Sequence, residues 1–317
     1  MKRFIYTLFV CFLITLLGSS ILLFLSYDKE FRSTYRQNVD CNTSWMYYRL
    51  HQNETPIDVA FVGTSHTGCG VNDSLIGREV GPSINVANLA YCTKGRNLHY
   101  TVIKDLLATK KPKLIILEIR ETESRDSHKD FSLIANTEDL LQHSYPFSFS
   151  YLENIVDGVK YRFLYNRMKL KNTLNYAPPV NYKEDYTFTP FYFYGDSIDL
   201  MRHSTKNKKL YQRRKKNIIK DQYYWEPEYA LEQIKKLCEQ NAVPLRLLYL
   251  PSIGNENTVP LREEFYRNLA PTWYPPNRLL TNKSNWVDGE HFNYWGSKKL
   301  SEWLSVQINS TLSENLD

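Results

Sequence analysis

Cysteine is scarce in this chain and poorly placed for metal binding. There are five among 317 residues, none in a Cys-x-x-Cys pair, and the seven histidines do not fall at ligand spacing. No glycine-rich phosphate loop is present, so nothing calls for a nucleotide or coenzyme A as cofactor. No zinc-finger, helix-turn-helix or RNA-binding signature appears, which leaves nucleic acid without support as a partner. No internal repeat stands out. Charge is missing altogether from residues 4–25. Acidic residues are missing from 206–220, which reads KNKKLYQRRKKNIIK. That run fits a solvated loop or helix face. It also fits a patch facing anionic lipid headgroups or an anionic cell-wall polymer.

The uncharged stretch 4–25 carries only a few polar residues. About twenty such residues span a hydrocarbon core of ~30 Å. Lys2 and Arg3 precede it, which keeps the short N-terminus on the cytoplasmic side. The run is long for a signal peptide and no small-x-small site ends it, so residues 1–26 read as an uncleaved signal anchor. The rest of the chain then lies outside the cytoplasm as a single-pass membrane protein. Cys41, Cys69, Cys92 and Cys238 lie beyond the anchor, and an oxidising compartment allows one or two disulfides among them. Cys69 and Cys92 follow neighbouring strands and make the first pairing to test. Tyrosine is abundant, at 24 residues, and suits glycan surfaces and interfaces.

Residues 27–55 are polar and mixed, a juxtamembrane lead-in. From 56 to 317 the pattern is that of an α/β layered domain. Residues 57–62, 84–89, 114–119 and 244–250 are apolar strand runs. The run 114–119 is continuous enough for a central parallel strand covered on both faces. Helical spacing occupies 96–109, 226–241 and 296–308. Between about 125 and 222 the rhythm stops. That stretch is Tyr/Phe-rich, contains Pro178-Pro179 and the basic run, and holds a helix near 151–170. It reads as an insertion that forms a lid or binding surface.

Two short segments carry the chemistry. The strand ending at Val62 runs into Gly63-Thr64-Ser65-His66, and Asp288-Gly289-Glu290-His291-Phe292-Asn293 precedes the last helix. Ligands of open α/β sheets gather at the carboxyl ends of strands, where Ser65 falls. A serine hydroxyl needs a base, an imidazole serves at neutral pH, and a carboxylate fixes its tautomer. Ser65, His291 and Asp288 can supply those three roles. Gly63 would permit a sharp turn. His66, taken alone, is a turn residue or part of a pocket wall.

These blocks resemble the SGNH (GDSL-like) hydrolases and acyltransferases, whose serine block follows the first strand and whose Asp-x-x-His block lies near the C-terminus. Gly63-Thr64-Ser65 is similar to the first block, with Thr64 where the family often has Asp. Asp288-Gly289-Glu290-His291 is similar to the last. Asn88-Leu89-Ala90 resembles the second block, with Ala90 in place of glycine. Glu118-Ile119-Arg120-Glu121 occupies the place of the family's Gly-x-Asn-Asp, which is absent. The resemblance implies a flavodoxin-like three-layer α/β/α sandwich with a parallel sheet, following the N-terminal transmembrane helix. It implies an oxyanion held by the Ser65 and Ala90 N–H groups with Asn88, Arg120 standing in for the missing block, and His66 shaping the pocket.

The chain is most similar to the membrane-anchored branch that includes D-alanyl transfer proteins of teichoic-acid modification and alginate O-acetylation proteins. His66 matches the Ser-His pair of that branch. This implies acyl transfer or ester hydrolysis on a cell-envelope polysaccharide, no cofactor, and a membrane-bound O-acyltransferase as partner. The rival expectation is a non-catalytic, membrane-tethered scaffold or glycan-binding protein on a decayed SGNH fold.

Overall fold

A computed structural model describes residues 2–25, 27, 28, 30, 31, 43–93, 95–124, 126–142, 149–171, 173, 174, 190–216 and 225–314. Helix α1 (Lys2–Phe24) carries no ionised side chain between Phe4 and its end and buries little of itself. Its 23 residues rise about 35 Å, long and apolar enough to cross a membrane. Then come α2 (Thr43–Tyr47) and a π turn (Tyr48–Gln52). Although 27–55 is polar overall, Trp45, Met46 and Leu50 of this stretch join the main core.

The domain is built on β1 (Val59–Val62), α3 (Ser65–Gly70), α4 (Asp73–Val80), β2 (Val86–Asn88), α5 (Arg96–Thr109) and β3 (Leu114–Ile119). The interruption follows, with α6 (Phe131–Ile134), α7 (Thr137–Gln142), α8 (Phe149–Leu170) and α9 (Ser197–Lys216). The α/β pattern resumes in α10 (Trp225–Gln240), β4 (Leu245–Tyr249), α11 (Glu263–Leu269), β5 (Thr272–Trp273), α12 (Asn277–Thr281) and α13 (Tyr294–Glu314). The five strands form one parallel sheet in the order β2-β1-β3-β4-β5. β5, only a Thr-Trp pair, is too short to show a period in the sequence.

Successive residues of each strand point to opposite faces, and both faces are covered. Ala60, Val62, Ile115, Leu117 and Leu247 pack against Leu98, Ile103 and Leu106 of α5 and Leu231 and Ile234 of α10. Val59, Phe61, Leu114, Ile116 and Leu248 pack against Ile76 of α4 and Leu300, Leu304 and Ile308 of α13. This two-sided burial is why the strands read as continuous apolar runs. The insertion has a small core of its own. There Leu23, at the end of α1, meets Phe131 and Leu140, with Ile155 and Val159 of α8 against them. The Arg162 guanidinium lies 4.7 Å from the centre of the Tyr27 ring. The end of the apolar helix is therefore docked on the insertion.

Cys69 and Cys92 are not joined to each other, so the pairing expected from their positions is not formed. Cys69 is buried in the last turn of α3, where burial pushes its thiol up to about 12. Cys238 is likewise buried, and Cys41 lies outside the described residues.

Ile116 is fully buried in the central strand β3. Ile116→Ala should therefore cost about 2–5 kcal/mol, the range for large-to-small changes in a core. Urea unfolding of the full chain in detergent, followed by circular dichroism, measures it.

Candidate functional site

The end of β1 is held by a buried carboxylate. Gly63 and Thr64 follow the strand, Thr64 caps α3, and Ser65 is the first residue of that helix. Glu118, second from the end of the neighbouring strand β3, is only 1% exposed. Its Oε2 accepts from the Thr64 N–H at 2.8 Å, the Thr67 N–H at 3.0 Å and the Thr67 hydroxyl at 2.6 Å. Its Oε1 accepts from the Thr64 hydroxyl at 2.8 Å. Burial alone would raise its pKa. The His66 and Arg120 charges and the threonine hydrogen bonds outweigh that and hold it at about 2.

Gly63 is needed for this approach, not for an unusual backbone angle. A Cβ at 63 would meet Glu118 Oε2 at 2.6 Å and also run into the Thr67 hydroxyl. Its φ is not among the positive values of the chain, so the glycine is required here by close packing.

The second half of the site is a closed loop. Trp286 and Phe292 form an antiparallel bridge, and the Val287 N–H donates to the His291 carbonyl at 2.9 Å. Inside it, Asp288 Oδ1 accepts from the backbone N–H groups of Glu290 at 2.7 Å and His291 at 2.8 Å. Asp288 Oδ2 lies 2.9 Å from His291 Nδ1, and His291 Nε2 lies 2.8 Å from Ser65 Oγ. Ser65, His291 and Asp288 are thus one hydrogen-bonded line, although 226 residues separate the first two. In the neutral tautomer that suits both contacts, Nδ1–H donates to Asp288 and Nε2 accepts from the Ser65 hydroxyl.

The electrostatics follow from the same contacts. Burial works against the Asp288 charge, but the His291 hydrogen bond and the two backbone donors hold this carboxyl at about 2. Burial alone would lower the imidazole of His291. The hydrogen bond and charge of Asp288, with Glu290 beside it, raise it instead. A base strengthened in this way, bonded to a half-exposed hydroxyl, is an arrangement able to draw a proton from Ser65.

The expected oxyanion donors are placed differently. Both amide hydrogens of Asn88 go to backbone carbonyls, of Thr67 at 3.0 Å and Val71 at 2.8 Å. The Ala90 N–H donates to Asn88 Oδ1 at 3.2 Å. The donors expected to serve an oxyanion are thus engaged within the protein: the Asn88 amide ties β2 to the end of α3, and the Ala90 N–H closes on the Asn88 side chain. The Ser65 N–H, first in its helix, donates to no acceptor among the described residues.

Arg120, 5% exposed, donates from Nη2 to Ser252 Oγ at 2.8 Å and lies 3.5 Å from Glu290 Oε1. His66 is 3% exposed, and its Nε2 lies 3.5 Å from Glu290 Oε2. Its ring centre is 5.5 Å from that of His291. Burial, then the Arg120 charge, lowers the pKa of His66. His66 and Arg120 thus meet at the Glu290 carboxylate, beside the Ser65–His291 pair. Glu290 was not foreseen, because its place depends on contacts with residues far away in sequence.

The insertion covers this loop. The Phe191 ring is 6.1 Å from the His291 ring, and the Phe191 carbonyl accepts from the Tyr294 N–H at 2.9 Å. Asn207 of α9 donates to the Ile253 carbonyl at 3.0 Å and the Gly289 carbonyl at 3.1 Å. Tyr211 donates to the Val259 carbonyl at 2.9 Å. The part of the basic run up to Lys216 lies on this helix, its lysines and arginines exposed and Arg214 bonded to the Thr122 hydroxyl, and 217–220 lies outside the described residues. No cluster of His, Cys, Asp and Glu able to hold a metal occurs among the described residues.

No family model matches the chain, and no curated protein matches it either. The fold and side-chain geometry therefore carry the functional reading: an α/β protein with a Ser-His-Asp line at the carboxyl edge of a parallel sheet.

Two outcomes test this geometry. Gly63→Ala forces the Glu118 carboxylate away from its donors, and should cost about 1–3 kcal/mol, the usual penalty for overpacking; thermal unfolding of the variant measures it. The reactivity of Ser65 toward a fluorophosphonate should rise with pH as His291 loses its proton, with a midpoint above the ordinary imidazole value. Asp288→Asn removes the charge that raises this value, so the midpoint should move down and the plateau rate fall. A pH series of labelling rates reads both.

Proposed function

We propose that this chain is a membrane-anchored, extracytoplasmic serine acyltransferase or acyl esterase acting on a cell-envelope polysaccharide. The observation that carries the reading is the pair of hydrogen bonds at His291, which accepts from Ser65 Oγ at 2.8 Å and donates to Asp288 at 2.9 Å. Ser65 Oγ attacks an acyl carbonyl while its proton passes to His291 Nε2. The tetrahedral intermediate collapses, the leaving alcohol takes that proton, and an acyl-Ser65 ester remains. A second hydroxyl, of a glycan in transfer or of water in hydrolysis, then gives up its proton to His291 and releases Ser65 by the same route. Asp288 keeps the imidazole in the useful tautomer and stabilises its charged form.

The strand order agrees with the flavodoxin-like sandwich of the SGNH proteins. The apolar helix α1 supports single-pass anchoring, with Lys2 and Arg3 on the cytoplasmic side. The exposed rings of Tyr192, Phe193 and Tyr194 flank the site on a segment that touches His291, and suit a sugar surface. Transfer rests on the resemblance to the membrane-anchored branch, as does a membrane-bound O-acyltransferase partner.

The second reading, a non-catalytic scaffold or glycan-binding protein, is favoured by one observation: the Asn88 and Ala90 donors are spent inside the protein. Intact-mass measurement with a fluorophosphonate separates the two. The full chain should gain one adduct, which Ser65→Ala and His291→Ala abolish without changing the circular dichroism spectrum. A folded wild-type chain that stays unlabelled supports the scaffold.

A further inference from the structure

The acyl chemistry proposed above needs a donor for the negative oxygen of its tetrahedral intermediate, and Asn88 and Ala90 are committed elsewhere. Two other donors near Ser65 are buried and unsatisfied. His66 Nε2 has no hydrogen-bond partner, although 97% of the residue is shielded from solvent. Arg120 Nε has none either; it lies 3.8 Å from the Glu121 carboxylate. Such groups are costly to bury without an acceptor. Both residues face the same object. The Glu290 carboxylate lies 3.5 Å from His66 Nε2 through one oxygen and 3.5 Å from Arg120 Nη2 through the other. These distances exceed a good charge-assisted hydrogen bond. The Glu290 side chain is half exposed, so its outer side faces solvent.

The location is also specific. His66 follows Ser65 and Glu290 precedes His291, so the carboxylate sits where the two halves of the site meet. Arg120 stands just past β3, and its position is fixed by the Ser252 hydroxyl. Ser252 is held in turn by Glu121, which accepts from its N–H at 2.6 Å.

We infer that Arg120 and His66 form a seat for an anionic oxygen of the substrate, which the Glu290 carboxylate fills from within the chain. This inference rests on the acyl-transfer reading of Ser65. As Ser65 Oγ bonds to the carbonyl carbon, the π electron pair moves onto the carbonyl oxygen. That oxygen takes the place of the Glu290 carboxylate and accepts from Arg120 and from the Nε2–H tautomer of His66. On collapse the pair returns to re-form the carbonyl, the bond to the leaving alkoxide breaks, and His291 protonates the alkoxide. A carboxylate carried by the acyl group or acceptor would be received by the same donors, with the oxyanion left to the Ser65 N–H.

The test uses the full chain in detergent and a fluorophosphonate with an uncharged alkyl tail, whose phosphonyl oxygen mimics the oxyanion. Glu290→Ala removes the internal occupant on an exposed side chain and should fold normally. If the seat serves the oxyanion, this variant labels severalfold faster than wild type. His66→Phe, added to it, takes the gain away. If the seat serves a substrate carboxylate, Glu290→Ala labels at the wild-type rate, but sodium acetate slows it and leaves wild type untouched. Ser65-dependent labelling that ignores both Glu290→Ala and acetate overturns the seat and leaves the nucleophile standing. Labelling that persists in Ser65→Ala, or fails in every variant, overturns the reading of Ser65 and the seat together.

Discussion

A carboxylate buried between two strands sets the geometry on which the rest of the site depends. Glu118 brings a negative charge to a place with almost no access to water, and an ion placed there without partners would cost several kcal/mol. Donors from Thr64 and Thr67 surround it, and those residues lie on either side of Ser65 and His66. Satisfying the charge therefore positions the turn that carries Ser65. Gly63 is the space this costs, since any side chain there would collide with the acid. A glycine, two threonines and a glutamate, distant in sequence, act as one structural unit joining the ends of β1 and β3.

The opposite side of the site follows a different principle. The Asp288–His291 loop is organised mainly by its own contacts. One carboxylate both accepts the backbone N–H groups that shape the loop and orients the imidazole. The shape of the loop and the orientation of the imidazole thus depend on the same two oxygens. The bridge between Trp286 and Phe292 then fixes the loop to the core, where both rings lie buried against α13. The serine is placed by a neighbouring strand, and the histidine by its own chain.

The sequence was most readable where the physics is local. Runs such as 114–119 announce buried parallel strands because both faces are covered, and Asp288 and His291 lie three residues apart on one loop. Ser65 could be seen from its position after a strand. Asn88 shows the limit of this reading. Its type and place suit an oxyanion donor, but letters do not say where amide hydrogens go, and both are used by the carbonyls of Thr67 and Val71. Glu118 left a trace, as a charge within an apolar strand, yet its partners lie more than fifty positions away. β5 and the seating of α9 over the site depend on tertiary contacts and leave no period in the chain. The same is true of residues 43–50, whose few apolar side chains reach the core from a polar stretch.

The join between the insertion and the loops beneath it is made by close backbone approach. A side chain on Gly289 would strike the His203 ring at 2.8 Å, and one on Gly254 would run into the backbone of Ser204. Asn207 bonds backbone carbonyls rather than side chains across the same seam. The inner surface of α9 is thus matched in shape to the histidine loop, while most of its lysines and arginines lie exposed on the other side. Shape and charge are divided between two sides of one helix. The outward side can therefore change in sequence without disturbing the alignment of imidazole and hydroxyl beneath it.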